Sequence, residues 1–382
     1  MKFIAKTLYG LEDVLAAELA CHGAGSIKTA NRAVTFEGDL RLLYRVNYCV
    51  RTAISVLWQV AEFNISTPDD LYRHGARIKW EDYFRAGHTF SVVPVVKSHF
   101  FRHTGYAGLI LKDSVADRFR NIFGKRPSVD SANPGIVINL HIDNDRVNIS
   151  LDSSVVPLFR RGYRKEQTAA PLNEVLAAGI LDLSGWDGVS SITDPMCGSG
   201  TFLIEAAIRA NKIPAGKFRQ GFGFQQWRNY DGDKFEDIRN ECNNLISFRK
   251  IKISGSDISR DALNKAIANI RAAGMTEVIS VEKCDFRDLR AQDDEGYIII
   301  NPPYGQRIRE ADIADLYKMI GSVLKHNFAG HTASLITSDM EALKHVGLKP
   351  SFRKILYNGA LKCVLATYRL YSGRLSEAKR GG

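Results

Sequence analysis

Short apolar runs alternate with polar ones along the whole chain, and their order changes near residue 168. Before that point strands and helices are mixed. Met1–Thr7 reads as a strand, and Leu11, Val14, Leu15 and Leu19 share one helical face. Val34–Phe36 is a strand closed by Gly38, a second helix covers about Asp39–Val46, and Arg51–Val60 alternates as a strand. Two βαβ-like halves of this size are compatible with a ferredoxin-like fold. A second α+β unit spans about Thr67–Ser154. It starts with a helix at Pro68-Asp69-Asp70 and a strand at Thr89–Val96, and continues with a helix over about Ala107–Phe123 that ends at Gly124. Its closing hairpin has arms Ile136–Ile142 and Arg146–Leu151, which alternate cleanly across Asp143-Asn144-Asp145.

Beyond residue 168 strands and helices alternate strictly, which is the pattern of a parallel α/β sheet. Strands are predicted at Val189–Thr193, Ile251–Asp257, Val278–Glu282, Tyr297–Asn301 and Ala333–Thr337. Helices run from Asn173 to about Leu183 and over Phe202–Ala210, Arg260–Ala273, Ile313–Asn327 and Met340–Val346. Phe352–Tyr357 and Leu361–Tyr371 form a last hairpin across Asn358-Gly359. An insertion, Gly216–Asp233, lies between the first two strands. It is crowded with Phe218, Phe222, Phe224, Trp227 and Tyr230, and reads either as a flap or as a locally packed cluster.

Length and charge narrow the class. Two or three domains are expected in 382 residues. Basic residues outnumber acidic ones by 52 to 42, a formal charge of +10 that favours an anionic partner, nucleic acid first. The six cysteines are scattered with no C-x-x-C pair, and no histidine cluster has metal spacing, so a reduced cytoplasmic protein without a bound metal is expected. Met1–Ala5 opens no apolar core of signal-peptide length, and no run approaches a membrane span, so no membrane partner is expected.

Candidate chemistry gathers at the ends of the predicted parallel strands, the edge where open α/β sheets bind ligands. Tyr297-Ile298-Ile299-Ile300 runs into Asn301-Pro302-Pro303-Tyr304, and the prolines end the strand because they offer no ladder donor. The elbow presents the Asn301 side-chain carbonyl, a backbone acceptor fixed by proline, and the ring of Tyr304. It suits a planar ring with an exocyclic amine: two acceptors grip the amine hydrogens and draw the nitrogen towards tetrahedral geometry, while the aromatic face stacks the ring.

Asp194-Pro195-Met196-Cys197-Gly198-Ser199-Gly200-Thr201 sits between a strand and a helix, and its glycines allow a tight turn against a ligand. It lacks the third glycine of the dinucleotide fingerprint and sets acidic Asp194 where a pyrophosphate would be repelled. A ligand with a positive end and no phosphate, S-adenosylmethionine, fits instead. Asp257, followed by Ile258, is placed to accept from ribose hydroxyls. Asp285 is placed to accept from an adenine amine, with Phe286 flanking the ring. Two further stretches mix cations with aromatics, as phosphate-binding segments do. One contains Lys97 and Arg102; the other, Phe159–Lys165, contains Arg160, Arg161, Tyr163, Arg164 and Lys165. A plain solvated linker is the alternative for the second.

Taken together, these residues resemble bacterial THUMP-domain class I S-adenosylmethionine-dependent RNA methyltransferases that modify a guanine N2 amine in large-subunit ribosomal RNA, proteins often labelled N6-adenine-specific DNA methylases. The resemblance covers nearly the whole chain. It implies a ferredoxin-like domain over 1–64, a THUMP RNA-binding domain over 65–155, a basic linker over 156–170 and a basic tail over 375–382. Residues 171–374 would form a Rossmann-like class I methyltransferase domain, a mostly parallel seven-stranded sheet ending in an antiparallel hairpin. It also implies the cofactor against Asp194–Thr201, Asp257, Ile258, Asp285, Phe286 and Asn301, the target amine at Asn301–Tyr304, and 23S ribosomal RNA as partner. Some relatives carry a second methyltransferase domain; a single one, and with it a single modification, is expected here. A DNA adenine N6 methyltransferase and a non-catalytic RNA-binding assembly factor are the rival expectations.

Overall fold

Met1–Thr7, Leu15–Leu158 and Arg219–Glu241 make one unit of the chain, and Leu8–Val14, Phe159–Phe218 and the described residues from Cys242 onward make another. The computed structural model describes residues 1–167, 171–303 and 310–371. Tyr304 and the basic tail over 375–382 therefore lie outside the described residues.

In the first unit β1 (Lys2–Lys6), α1 (Glu12–Cys21) from Leu15 on, β2 (Gly25–Ala30), β3 (Ala33–Glu37), α2 (Leu40–Cys49) and β4 (Ser55–Asn64) give the strand order β2-β3-β1-β4 of a ferredoxin-like sheet. β2 is a strand the hydrophobic pattern does not mark, because its residues are almost all exposed and nothing alternates. The chain continues through α3 (Pro68–Arg77), β5 (Thr89–Lys97), α4 (Thr104–Phe123), β6 (Ser128–Val129), β7 (Ile136–Asp143) and β8 (Arg146–Asp152). Local signals set several of these ends. The Asp70 carboxylate accepts from the Ser66 and Thr67 N–H groups at 2.8 and 2.9 Å ahead of α3, and Gly124 closes α4 at a φ of 67°. β4 pairs antiparallel with β8 from Leu57↔Asp152 to Asn64↔Arg146. The two α+β patterns thus share one eight-stranded sheet, β2-β3-β1-β4-β8-β7-β5-β6.

The second unit holds α5 (Glu174–Leu183), β9 (Ile192–Asp194) and α6 (Thr201–Ala210), and takes up the chain again at the end of α7 (Gly232–Asn244). β10 (Ile253–Asp257), α8 (Arg260–Ala272), β11 (Ile279–Lys283), β12 (Tyr297–Ile300), α9 (Glu310–Asn327), β13 (Thr332–Thr337), β14 (Phe352–Asn358) and β15 (Leu361–Arg369) follow. The strand order is β11-β10-β9-β12-β13-β15-β14; the first five are parallel, and β15 runs antiparallel to both neighbours. This is the doubly wound sheet with a terminal hairpin that the pattern implies. Ile298, Ile299 and Ile300 are all buried, as a strand covered on both faces requires.

β9 and the segment after β13 differ from expectation. β9 starts at Ile192 rather than Val189, because the Asp187 carboxylate accepts from the Val189 and Ser190 N–H groups, both at 2.8 Å, and holds them in a turn. Met340–Val346 forms only a 3₁₀ turn over Ala342–Val346. Among the described residues no helix is long and apolar enough to cross a membrane.

The aromatic insertion resolves as a packed cluster. From Arg219 to Glu241 it belongs to the first unit, where the Phe224 ring lies 4.6 Å from that of Tyr44 and 5.0 Å from that of Phe235, while Trp227 lies 5.4 Å from Trp58. Its backbone is tied as well: Phe224 N–H donates to the Ser153 carbonyl at 3.0 Å and Arg228 N–H to that of Tyr83 at 2.7 Å. A flap would leave these rings and donors to water.

Candidate active site

In the second unit strand order reverses between β9 and β12, the switch point at which such sheets open a crevice. A cavity of about 520 Å³ opens there. Its wall comes from Asp194–Ser199 and Thr201 after β9, Asp257–Ser259 after β10, Cys284–Arg287 after β11 and Asn301–Pro303 after β12. Motifs far apart in sequence are thereby brought to one crevice. Gly200 does not line it. It caps α6 at a φ of 80°, where an added Cβ would stand 3.3 Å from that of Ala266.

The carboxyl groups differ in state. Asp194 is buried and accepts from the Met196 N–H at 3.2 Å. Burial, helped by the charge of Asp257, pushes its pKa up to about 8. Asp257 instead orders the loop: its carboxylate accepts from the Gly198 N–H at 3.0 Å and from the Ser259 N–H at 2.9 Å. Asp285 accepts from the Arg287 N–H at 2.9 Å and from its guanidinium at 2.7 Å, and these bonds hold its carboxyl below the usual range. Phe286 lines the cavity but is itself buried, 6.2 Å from Phe328. Burial raises the Cys197 thiol well above its ordinary value, so it is no nucleophile.

At the end of β12 Asn301 is half-buried, and its Oδ1 is buried without a hydrogen-bond partner among the described residues. Such an orphan costs about 1–3 kcal/mol unless a donor arrives from outside. Pro302 and Pro303 line the same cavity.

Comparison with known proteins fits this geometry. Residues 161–367, more than half of the chain, match the family model described as RMKL-like, methyltransferase domain. The chain belongs to the RMKL-like methyltransferase family. Residues 2–57 match the RlmL ferredoxin-like domain and residues 66–152 the THUMP domain. A relative in Syntrophotalea carbinolica, named ribosomal RNA large subunit methyltransferase K/L, is 36% identical over 390 residues, covering 99% of this chain and 55% of its own length. The RMKL-like chain thus spans about half the length of that curated relative. A Synechocystis sp. protein named as an RNA methyltransferase is 37% identical over 371 residues, covering 97% of each chain. Among solved structures, a protein named as a methyltransferase and complexed with SAH superposes with a TM-score of 0.88 at 28% identity, covering 98% of each chain.

The RMKL-like chain corrects one expectation from sequence. Arg161 and Tyr163, read as RNA contacts, are buried in the second unit. Arg161 pairs with Glu205 at 3.3 Å, and the Tyr163 hydroxyl donates to the same carboxylate at 3.1 Å. Arg164 is turned inward too, donating to Glu174 at 2.7 Å. A buried guanidinium needs a carboxylate, and Glu205, in the second turn of α6, supplies it. Arg160 and Lys165 stay exposed in the second unit, as do Lys97 and Arg102 in the first. Sequence reasoning also missed the apolar wall, Leu172, Phe202, Ala262, Leu316 and Met319. Leu316 and Met319, three apart on α9, carried a legible signal: one helical face following the proline elbow.

Proposed function

We propose that this chain transfers a methyl group from S-adenosylmethionine to an exocyclic amine of an RNA base, with guanine N2 in 23S ribosomal RNA as the target and the cytoplasm as the place. The observation that carries the reading is the partnerless Oδ1 of Asn301 in the cavity shared with Asp194, Asp257 and Asp285. The name of the K/L relative supports the substrate, and the SAH-bound neighbour supports the cofactor.

The residues present fit that cofactor. Asp194, uncharged at neutral pH while buried alone, gains a partner if an ammonium enters. Each Asp257 oxygen already accepts one backbone N–H, Oδ2 from Gly198 and Oδ1 from Ser259, and keeps a second lone pair that a ribose hydroxyl can use. Asp285 must share its clasp with Arg287 to receive an adenine amine. When bound, S-adenosylmethionine supplies a methyl group activated on a sulfonium. The chain supplies placement: Asn301 Oδ1 and the Pro302 carbonyl accept from the two amine hydrogens of an extruded base, aiming the nitrogen lone pair at the crevice. Tyr304 keeps its proposed stacking role from sequence alone.

Nucleoside mass spectrometry of 23S ribosomal RNA from cells with and without the protein tests this. Loss of N2-methylguanosine at one position is expected; an unchanged nucleoside profile, with labelled methyl appearing in DNA, overturns it.

A further inference from the structure

A half-buried arginine of the linker grips the cofactor loop. Arg164 Nη1 donates to Ser199 Oγ at 3.3 Å, and its Nη2 donates to Thr201 Oγ1 and to the Leu172 carbonyl, both at 3.0 Å. Ser199, Thr201 and Leu172 all line the cavity. One residue on, the buried Asn269 of α8 closes a second clamp. Its Oδ1 accepts from the Lys165 and Glu166 N–H groups at 2.8 and 3.0 Å, and its Nδ2 donates to the carbonyls of Glu166 and Ser199 at 2.9 and 3.0 Å. A carboxylate alone would neutralise Arg164, and Glu174 already does so. The additional bonds to two hydroxyls and a carbonyl of the cavity wall serve geometry.

Arg164 lies between two exposed cations, Arg160 and Lys165, and the Asn269 clamp holds the backbone of Lys165 itself. Anything that fixes these cations fixes the segment between them, and with it the shape of Ser199 and Thr201. We infer that Arg164 and Asn269 are positioning residues through which RNA phosphate, held at Arg160 and Lys165, tightens cofactor binding. The inference rests on the reading of the chain as an RNA methyltransferase. Coupling of this kind is reciprocal, so bound cofactor tightens RNA to the same degree.

Equilibrium dialysis of tritiated S-adenosylhomocysteine against the full chain, with and without unmodified 23S ribosomal RNA, tests it. The RNA is expected to tighten the native chain's affinity by about 5-fold or more, the lower range of such couplings. Arg164→Lys keeps the charge but cannot span Glu174, Ser199 and Thr201 at once, so the RNA-dependent gain should vanish while the melting temperature holds. An affinity that RNA leaves unchanged in the native chain, with RNA bound in the same sample, overturns the coupling but leaves methyl transfer standing. Failure to bind either ligand overturns both.

Discussion

Asp194 and Asp257 set two carboxyl groups around one glycine loop, and burial together with the Asp257 charge lifts Asp194 to about 8. A carboxyl raised in the folded state adds stability that is complete below its unfolded pKa and is lost as pH climbs through about 8. An ammonium brought beside it by a ligand reverses the preference, since it favours the ionised form. S-adenosylhomocysteine should therefore bind more tightly as pH rises from about 6 towards 8, with protons released in that window. Calorimetry in two buffers of different ionisation enthalpy counts those protons, and Asp194→Asn should abolish the release. A native chain that releases none would sink the assignment of Asp194 to the cationic end.

Asn301 offers a separation of activity from stability. Its Oδ1 has no partner among the described residues, so truncation to alanine breaks no bond there and removes an unmet desolvation cost. Melting temperature should hold or rise in Asn301→Ala. Methyl transfer should fall by about 10²-fold or more, the scale seen when one oriented polar group is taken from an active site. Single-turnover transfer beside a thermal melt decides it; a near-native rate would reject the role.

Much of this site could be read from sequence because its signals are local. The isoleucines before Asn301-Pro302, the glycines after Asp194, and Asp257 at a strand's end each announce themselves within a few residues. What stayed hidden depends on partners distant in the chain. Nothing near Arg161 indicates that Glu205 waits on α6, so a run of arginines reads as surface. The Arg287 clasp on Asp285 was missed for another reason: an acid ending a strand reads as ligand-ready until its neighbour's rotamer is known. β2 could not be found from its exposed residues, whereas α7 could have been, since Phe235, Ile238 and Cys242 fall on one helical face.

The packed state of the insertion has a measurable consequence. Phe224 is fully buried among Tyr44, Phe222 and Phe235. Phe224→Ala should destabilise the first unit by about 3–5 kcal/mol, the usual cost of emptying an aromatic core site. Hydrogen exchange should report the loss in β4 and α2, while S-adenosylhomocysteine affinity stays near native. Protection left intact there would restore the flap reading.

Arg161 and Lys165 stand four residues apart with opposite expected phenotypes. Arg161 is buried against Glu205, with side-chain exposures of 1% and 0%. Removing one partner strands the other's charge, so Glu205→Gln or Arg161→Ala should cost on the order of 3–5 kcal/mol of stability in the second unit. Neither should alter the slope of log RNA affinity against log salt, because no counterion is released from a buried pair. Lys165→Ala should do the reverse, leaving the melt in place and lowering that slope by about one phosphate contact. Filter binding across a salt series, with a melt of each variant, separates the two. A reduced slope in a well-folded Arg161→Ala would mean that the arginine leaves Glu205 to meet RNA.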